Sequence, residues 1–177
     1  GRGSNPTNIS GGGEVYIFTE WGINQIGNDT PYTWRTLTDK EWHYLRYERN
    51  NAERLIGVAQ INDVNGLILL PDDWTCPEGV GFQAGFHTER DDTYYAAYQK
   101  ISHSDWSKME QAGAIFLPAA GSRYVSQTDL VQFYGCYWTA SLYNDYSACI
   151  FQFFSNGADI DNLNRSMGLS VRLVREL

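Results

Sequence analysis

The chain contains little that would mark a membrane, fibrous or low-complexity protein. Its 177 residues include 5 prolines and 17 glycines, and the glycines follow no three-residue period. This composition excludes a collagen-like or low-complexity polypeptide. No apolar run in the sequence is long enough to span a bilayer, so we expect no membrane insertion.

Cysteine is also scarce. The 3 cysteines, Cys76, Cys136 and Cys149, are odd in number and have no C-x-x-C spacing, which excludes a disulfide framework. Cys136 and Cys149 fall in neighbouring predicted strands, so a single bridge between them is geometrically conceivable. The favoured interpretation is that both are small, partly buried apolar residues.

Sequence patterns for catalysis or cofactor binding are missing. There is no G-x-G-x-x-G, no P-loop and no zinc-ligand spacing. The histidines, His43, His87 and His103, have no nucleophile and acid at a spacing that the sequence would pair. We expect the adjacent Asp72 and Asp73 to point apart, which disfavours acid–base pairing. We therefore predict that the protein is not an enzyme and has no cofactor.

Positively charged residues are few. The chain has 13 Lys and Arg against 21 Asp and Glu, giving a net charge of −8. This balance repels phosphate backbones and anionic lipid surfaces, so we expect no nucleic-acid partner.

Aromatic residues are abundant, at 15% of the chain, with 6 Trp and 12 Tyr. Such side chains fill cores and also form exposed stacking surfaces for ligands. The length fits one domain. We assign residues 1–13, which are glycine-rich, to a flexible leader or linker, and residues 14–177 to a single domain.

Two helices are predicted from their N-terminal caps. Thr38 and Glu41 form a T-x-x-E capping box, which predicts a helix over residues 39–51. Ser102 caps a second helix, and Gly113 stands where a left-handed C-terminal residue is needed. Each helix is followed by an apolar strand ending in Leu-Pro, at residues 66–71 and 113–118. We expect both helices and these strands to share one core.

The last third of the sequence is rich in strand-forming residues. Strands are predicted at residues 134–141, 148–154 and 168–174. In the second of these, Cys149, Phe151 and Phe153 form the better core face. Residues 159–167 are polar, and we predict an irregular loop there. Few helices and many short strands indicate an α+β fold.

The predicted helix with Trp42 and five later segments carry a resemblance to a known family. The segments are NGLILLPDDW at 65–74, WSKME at 106–110, AAGSR at 119–123, GCYWTAS at 135–141 and GLSVRLV at 168–174. In this order, over residues 33–174, the chain resembles the Fibrobacter succinogenes major paralogous domain, a pattern common in exported Bacteroidetes proteins. The resemblance implies a C-type-lectin-like fold, with two helices flanking twisted antiparallel sheets and the N- and C-terminal strands close together.

The resemblance also implies a place and a role. Members look like secreted or cell-surface modules, extracellular or lipid-anchored through a preceding segment. Related proteins include the variable proteins of diversity-generating retroelements, found in phage tails and on bacterial surfaces. In those proteins the mutable binding face corresponds to residues 142–167 here. Membership of that subgroup is a hypothesis.

The residues themselves favour the same segment as a binding face. Tyr offers rigid contact area, and Asn offers both a donor and an acceptor; the alternative is that Asn and Asp are turn residues of a long loop. The candidate ligand-binding residues are Trp138, Tyr143, Asn144, Asp145, Tyr146, Asn156, Asp159, Asp161, Asn162, Asn164 and Arg165.

We accordingly predict a non-catalytic recognition module that binds a protein or glycan through this C-terminal face, as in adhesion. The calcium-dependent lectin motifs Glu-Pro-Asn, Gln-Pro-Asp and Trp-Asn-Asp are absent, so no metal is expected. One alternative is a structural or assembly domain of a larger surface protein. Another is a formylglycine-generating-type oxidase, for which Cys136 and Cys149 are the candidate pair, although their apolar neighbours predict inert thiols.

Overall fold

The computed structural model describes residues 26–86 and 98–175. The predicted leader, residues 1–13, and His87 lie outside these ranges. The elements in chain order are β1 (Arg35–Thr36), α1 (Asp39–His43), a π-helical turn (Tyr44–Glu48), a 3₁₀ turn (Ala52–Arg54), β2 (Ile56–Ile61), β3 (Val64–Leu69), β4 (Gln99–Ile101), α2 (His103–Gln111), β5 (Ile115–Pro118), β6 (Ser122–Tyr124), β7 (Gln127–Asp129), β8 (Gly135–Leu142), β9 (Ser147–Phe154), β10 (Gly157–Asn164) and β11 (Leu173–Val174). The α+β class is confirmed. No helix among the described residues is long and apolar enough to cross a membrane.

The capping box at the start of α1 is confirmed. The Thr38 hydroxyl accepts from the Glu41 N–H at 3.2 Å, and the Glu41 carboxylate accepts from the Thr38 N–H at 2.8 Å. The predicted end at residue 51 is wrong, because the π-helical turn that continues α1 ends at Glu48 and the 3₁₀ turn begins only at Ala52. Arg49 has an extended backbone, with ψ 153°, while its N–H still bonds the Tyr44 carbonyl.

The cap and end of α2 are also confirmed. Ser102 accepts from the Asp105 N–H at 3.1 Å, and Gly113 follows the helix with φ +92°. A residue with a Cβ is strained at that φ, which explains the glycine.

A central sheet has the strand order β4-β2-β3-β5. β2 and β3 form a hairpin whose turn residues, Asn62 and Asp63, both have positive φ, as a two-residue turn matching the strand twist requires. β3 and β5 are antiparallel neighbours, so the two strands predicted from the Leu-Pro endings lie side by side. β4 pairs with β2 in parallel.

The central sheet is buried on both faces, so the prediction of one shared core is wrong. On one face Ile56 and Leu67 pack in a cluster with Trp42 of α1. On the other face Ile68 packs with Met109 of α2. Successive strand residues point to opposite faces, and this alternation separates the two clusters. The helices therefore flank the sheet from opposite sides.

A second sheet, in the order β10-β9-β8, covers the Trp42 side. The Trp42 indole stacks on the Phe151 ring with centroids 4.3 Å apart and planes 4° apart. Phe151 and Phe153 are buried there, as the sequence predicts, but Ile150 on the opposite face of β9 is equally buried. Gly135 of β8 crosses directly over the Phe153 ring, where a Cβ would collide with it.

Two predictions about the C-terminal region are wrong in extent. Residues 157–164 form β10, which pairs with β9 along its whole length, instead of an irregular loop. The Asn and Asp residues there are poor strand formers, but pairing with the apolar β9 overrides that preference. The final strand is short: β11 pairs with β1, and Ser170 bridges to Tyr137 of β8.

One buried charge links the helical segment to the central sheet. Arg49 is 6% exposed. Its guanidinium donates to the carbonyls of Leu45 at 2.9 Å, Leu70 at 2.8 Å and Leu55 at 2.9 Å. It also reaches the carboxylate of Asp72, whose side chain is 68% exposed, at 3.3 Å. Solvent can hydrate the exposed Asp72 carboxylate if Arg49 is removed. The backbone carbonyls lie inside the protein, so they would lose their hydrogen-bond donors.

Replacing Arg49 with Met should lower the free energy of unfolding by about 3 kcal/mol or more, because buried carbonyls lose their donors. Urea denaturation measures this change. Asp72→Asn is the control and should cost at most about 1 kcal/mol, since an exposed ion pair contributes little. Equal losses in the two variants would show that the ion pair, and not the carbonyl bonds, is what matters.

The start of α1 should make stability depend on pH. The Arg35 guanidinium, with the Thr38 bonds, lowers the pKa of Glu41 from 4.5 to about 2. Because the folded-state pKa is depressed, the Glu41 charge stabilises the fold above pH 4.5, and this contribution is lost as the pH falls toward 2. Glu41→Gln should destabilise by roughly 0.5–1 kcal/mol at neutral pH, since the pair is partly exposed. Thermal melts across this range should show the difference from the wild type vanish in acid.

Candidate functional site

The loop between β8 and β9 presents two tyrosines to solvent. The Tyr143 and Asn144 N–H groups both donate to the Ser147 carbonyl at 3.1 Å. The Asn144 side-chain oxygen accepts from the N–H groups of Tyr146 at 2.9 Å and Ser147 at 2.8 Å. These bonds fix the backbone of the loop, while the Tyr143 and Tyr146 side chains are 61% and 77% exposed.

The turn after β10 holds this loop from the side. The Arg165 N–H donates to the Tyr146 carbonyl at 2.9 Å, and its guanidinium donates to the Asp145 carbonyl at 3.3 Å. The turn is closed by Asn164, whose side chain accepts from the Ser166 N–H at 2.9 Å. The carbonyls of Asp145 and Tyr146 are thereby hydrogen-bonded to the residue that follows β10.

The hairpin of β6 and β7 lies next to this turn. Arg123 and Gly168 exchange two backbone hydrogen bonds, at 2.8 and 2.7 Å. Gly168 is three residues after Arg165, so at most about 10 Å of chain separates the bonded partner of the hairpin from the turn that holds the loop. Its tip exposes Tyr124 and Val125. We call Tyr124, Val125, Tyr143, Tyr146 and Arg165 the tyrosine face.

Val125 sits in a strained conformation at the tip of this hairpin. Its φ is 54°, in the left-handed region, and its side chain is 78% exposed. A β-branched residue in that region costs about 1–3 kcal/mol. The Arg123 side chain, which donates to the Val125 carbonyl at 3.1 Å, helps to hold the tip. Strained, exposed apolar residues of this kind occur at binding sites.

The structure brings together only part of the predicted binding set. The members at the tyrosine-face end of the second sheet are Tyr143, Asn144, Asp145, Tyr146, Asn164 and Arg165. Asn156 lies in the turn between β9 and β10, at the opposite end of the eight-residue β9. At 3.3 Å per residue that end is about 23 Å away.

The remaining candidates lie along the strands. Trp138 is half-buried on β8, packed on the cluster of Cys136 and Ile150. Asn162 is half-buried on β10, opposite Cys149. Asp159 and Asp161 are exposed on β10, where each accepts hydrogen bonds from within the chain. These residues do not form one surface with the loop.

Tyr124 and Val125 were not among the sequence candidates. Residues 122–129 contain no strong strand pattern, and they are far from residue 143 in the chain. Only the bonds between Arg123 and Gly168 show that the hairpin lies beside the segment that follows the Arg165 turn. The signal in the sequence that could have identified this hairpin is its Tyr-Val pair, which stands within a polar stretch.

The cysteines are unbridged. In the strand register Cys136 pairs with Gln152 and Cys149 with Asn162, so the two do not face each other. Burial raises the pKa of the Cys136 thiol to about 11. The pKa of Cys149 is also raised, by burial and then by the charge of Asp39. Thiols with raised pKa values are poor nucleophiles.

Comparison with known proteins adds one match. A family model described as Domain of unknown function (DUF8237) matches residues 90–174, a span that includes α2, β4 to β11 and the tyrosine face. No curated protein and no solved structure matches the chain. Within residues 26–86 and 98–175, no group of His, Cys, Asp and Glu is arranged to hold a metal ion.

Thiol labelling in the native state should distinguish the three cysteines. Cys76 is exposed and should react quickly with a chromogenic disulfide reagent, whereas Cys136 and Cys149 should react only after unfolding. The expected counts are one thiol in the native protein and three in denaturant. Cys76→Ser is the matched control and should abolish the fast phase. Any fast-reacting thiol that remains in that variant would support the oxidase alternative.

Proposed function

We propose that this protein is a non-catalytic recognition module that binds a protein or glycan through the tyrosine face. The observation that carries the proposal is the pair of exposed rings, Tyr143 and Tyr146, on a loop with a fixed backbone. Sequence reasoning placed the ligand across residues 142–167. The geometry favours the narrower surface formed by the loop, the Arg165 turn and the β6–β7 hairpin.

The fixed loop lowers the cost of binding. A ligand that meets an ordered loop does not have to offset the entropy of ordering it. Tyrosine adds large contact area with few rotatable bonds and a hydroxyl for hydrogen bonding. Two tyrosines with an adjacent arginine match the residue types that dominate binding energy in protein interfaces.

The same rings suit two classes of ligand. Exposed tyrosines stack on the apolar faces of sugars, and they also serve as anchors in protein–protein contacts. The acidic chain argues against anionic polymers as ligands, because the net charge of −8 opposes their approach. A glycan array and a protein array probed in parallel separate the two classes.

We further propose a C-type-lectin-like fold and placement at a bacterial or phage surface, as in the Fibrobacter succinogenes major paralogous domain. Two features support the fold: β1 and β11 pair near the two ends of the described chain, and α1 and α2 flank the central sheet from opposite sides. The surface placement, with a role in adhesion and a link to diversity-generating retroelements, rests on the sequence resemblance.

The double variant Tyr143→Ala/Tyr146→Ala should lose ligand binding while keeping its stability. Both side chains are exposed, so the melting temperature should move by no more than about 2–4 °C. Binding to hits from the glycan and protein arrays, measured by biolayer interferometry, should weaken at least about tenfold, as truncation of anchor residues predicts.

The matched control is Tyr32→Ala/Tyr44→Ala, which removes two exposed tyrosines outside the tyrosine face. This variant should bind like the wild type. Unchanged binding by the Tyr143/Tyr146 variant would assign the ligand to another surface. Equal losses in both double variants would show that tyrosine content, and not this face, controls binding.

A further inference from the structure

One edge of the second sheet is formed by β10. Among the described strands, β10 pairs only with β9, over eight residues. A strand with one partner leaves a row of N–H and C=O groups on its other side, and such a row attracts strands from other molecules. An edge of this length therefore requires some feature that prevents pairing.

The register shows which backbone groups face outward. β9 and β10 are joined by a two-residue turn, with Phe154 paired to Gly157. In such a hairpin the first pair is hydrogen-bonded, and bonded and non-bonded pairs then alternate. The backbones of Ala158, Ile160, Asn162 and Asn164 consequently face away from β9.

At Ala158, Ile160 and Asn162, one outward backbone group is hydrogen-bonded to a side chain of the same molecule. The Asp159 carboxylate accepts from the Ile160 N–H at 2.7 Å, and the Asp161 carboxylate accepts from the Asn162 N–H at 2.8 Å. The Ala158 carbonyl accepts from the Arg46 guanidinium at 3.1 Å and lies 3.2 Å from the Tyr47 hydroxyl. An incoming strand would have to displace these bonds.

Further contacts hold both carboxylates in place. The Tyr47 hydroxyl donates to Asp159 at 3.0 Å, and the Gln152 amide donates to Asp161 at 3.2 Å. An antiparallel β10 strand from a second copy would bring the same pair of carboxylates alongside. Like charges opposite one another in a ladder are destabilising, and the net charge of −8 adds to the repulsion.

We propose that Asp159 and Asp161 close the β10 edge and prevent two copies of this chain from joining strand to strand. The two aspartates, chosen from the sequence as ligand contacts, act on their own backbone instead. This role is independent of the tyrosine face, which lies on the loop before β9 and its neighbouring turns. It explains why a regular strand contains residues that strands usually avoid.

The test is the association state of Asp159→Ala/Asp161→Ala, measured by sedimentation velocity over a concentration series. Opening two outward donors and removing two charges should convert a monomer into a dimer or larger species. The matched control is Asp73→Ala/Glu110→Ala, which removes two exposed carboxylates away from β10 and should leave the sedimentation coefficient unchanged. A folded β10 variant that stays monomeric at every concentration overturns the proposal.

A third substitution identifies strand pairing as the cause. Adding Asn162→Pro to the β10 variant removes one outward N–H, and proline is tolerated at such edge positions. The triple variant should return to a monomer, and continued association would mean a different contact. Circular dichroism checks folding of each variant.

Amide hydrogen exchange of the wild type covers the case in which the β10 variant fails to fold. The Ile160 and Asn162 amides should exchange about tenfold slower than unbonded exposed amides, as expected for a hydrogen bond of ordinary strength. Exchange at the rate of open amides would show that the carboxylates do not close the edge.

Discussion

The guanidinium of Arg49 joins the helical segment to the two ends of the β2–β3 hairpin. Its donors reach the carbonyl of Leu45 in the π-helical turn, Leu55 just before β2 and Leu70 just after β3. Only arginine combines enough donors in one rigid plane for three such bonds. The helical segment is thus placed against one end of the central sheet, which sets the position of Trp42 and everything stacked on it.

A series of contacts connects Trp42 to the candidate site. The indole lies flat on Phe151, in the middle strand of the second sheet. That strand begins at Ser147, whose carbonyl receives two N–H groups of the tyrosine loop. The loop therefore stands at the end of a continuous series of packed and hydrogen-bonded elements. The face is exposed, yet its backbone geometry is determined by the core.

The sequence predicted local features better than distant ones. The caps at Thr38 and Ser102, and the left-handed Gly113, depend on residues within one helical turn and were confirmed. β10 was missed because its aspartates disfavour a strand, and only pairing with β9 and bonds to their own backbone offset this. The contact between Arg123 and Gly168 joins segments that no local pattern relates, so Tyr124 and Val125, two of the five residues of the tyrosine face, could not be predicted from the sequence.

The way the 143–146 loop is held has a consequence for how freely its chemistry can change. Its closing bonds come from main-chain groups, from the Asn144 amide and from Arg165. The side chains at 143, 145 and 146 project from a frame that needs none of their functional groups. New residues there change the exposed chemistry of the loop while the frame keeps its shape, so this scaffold suits library selection at these three positions.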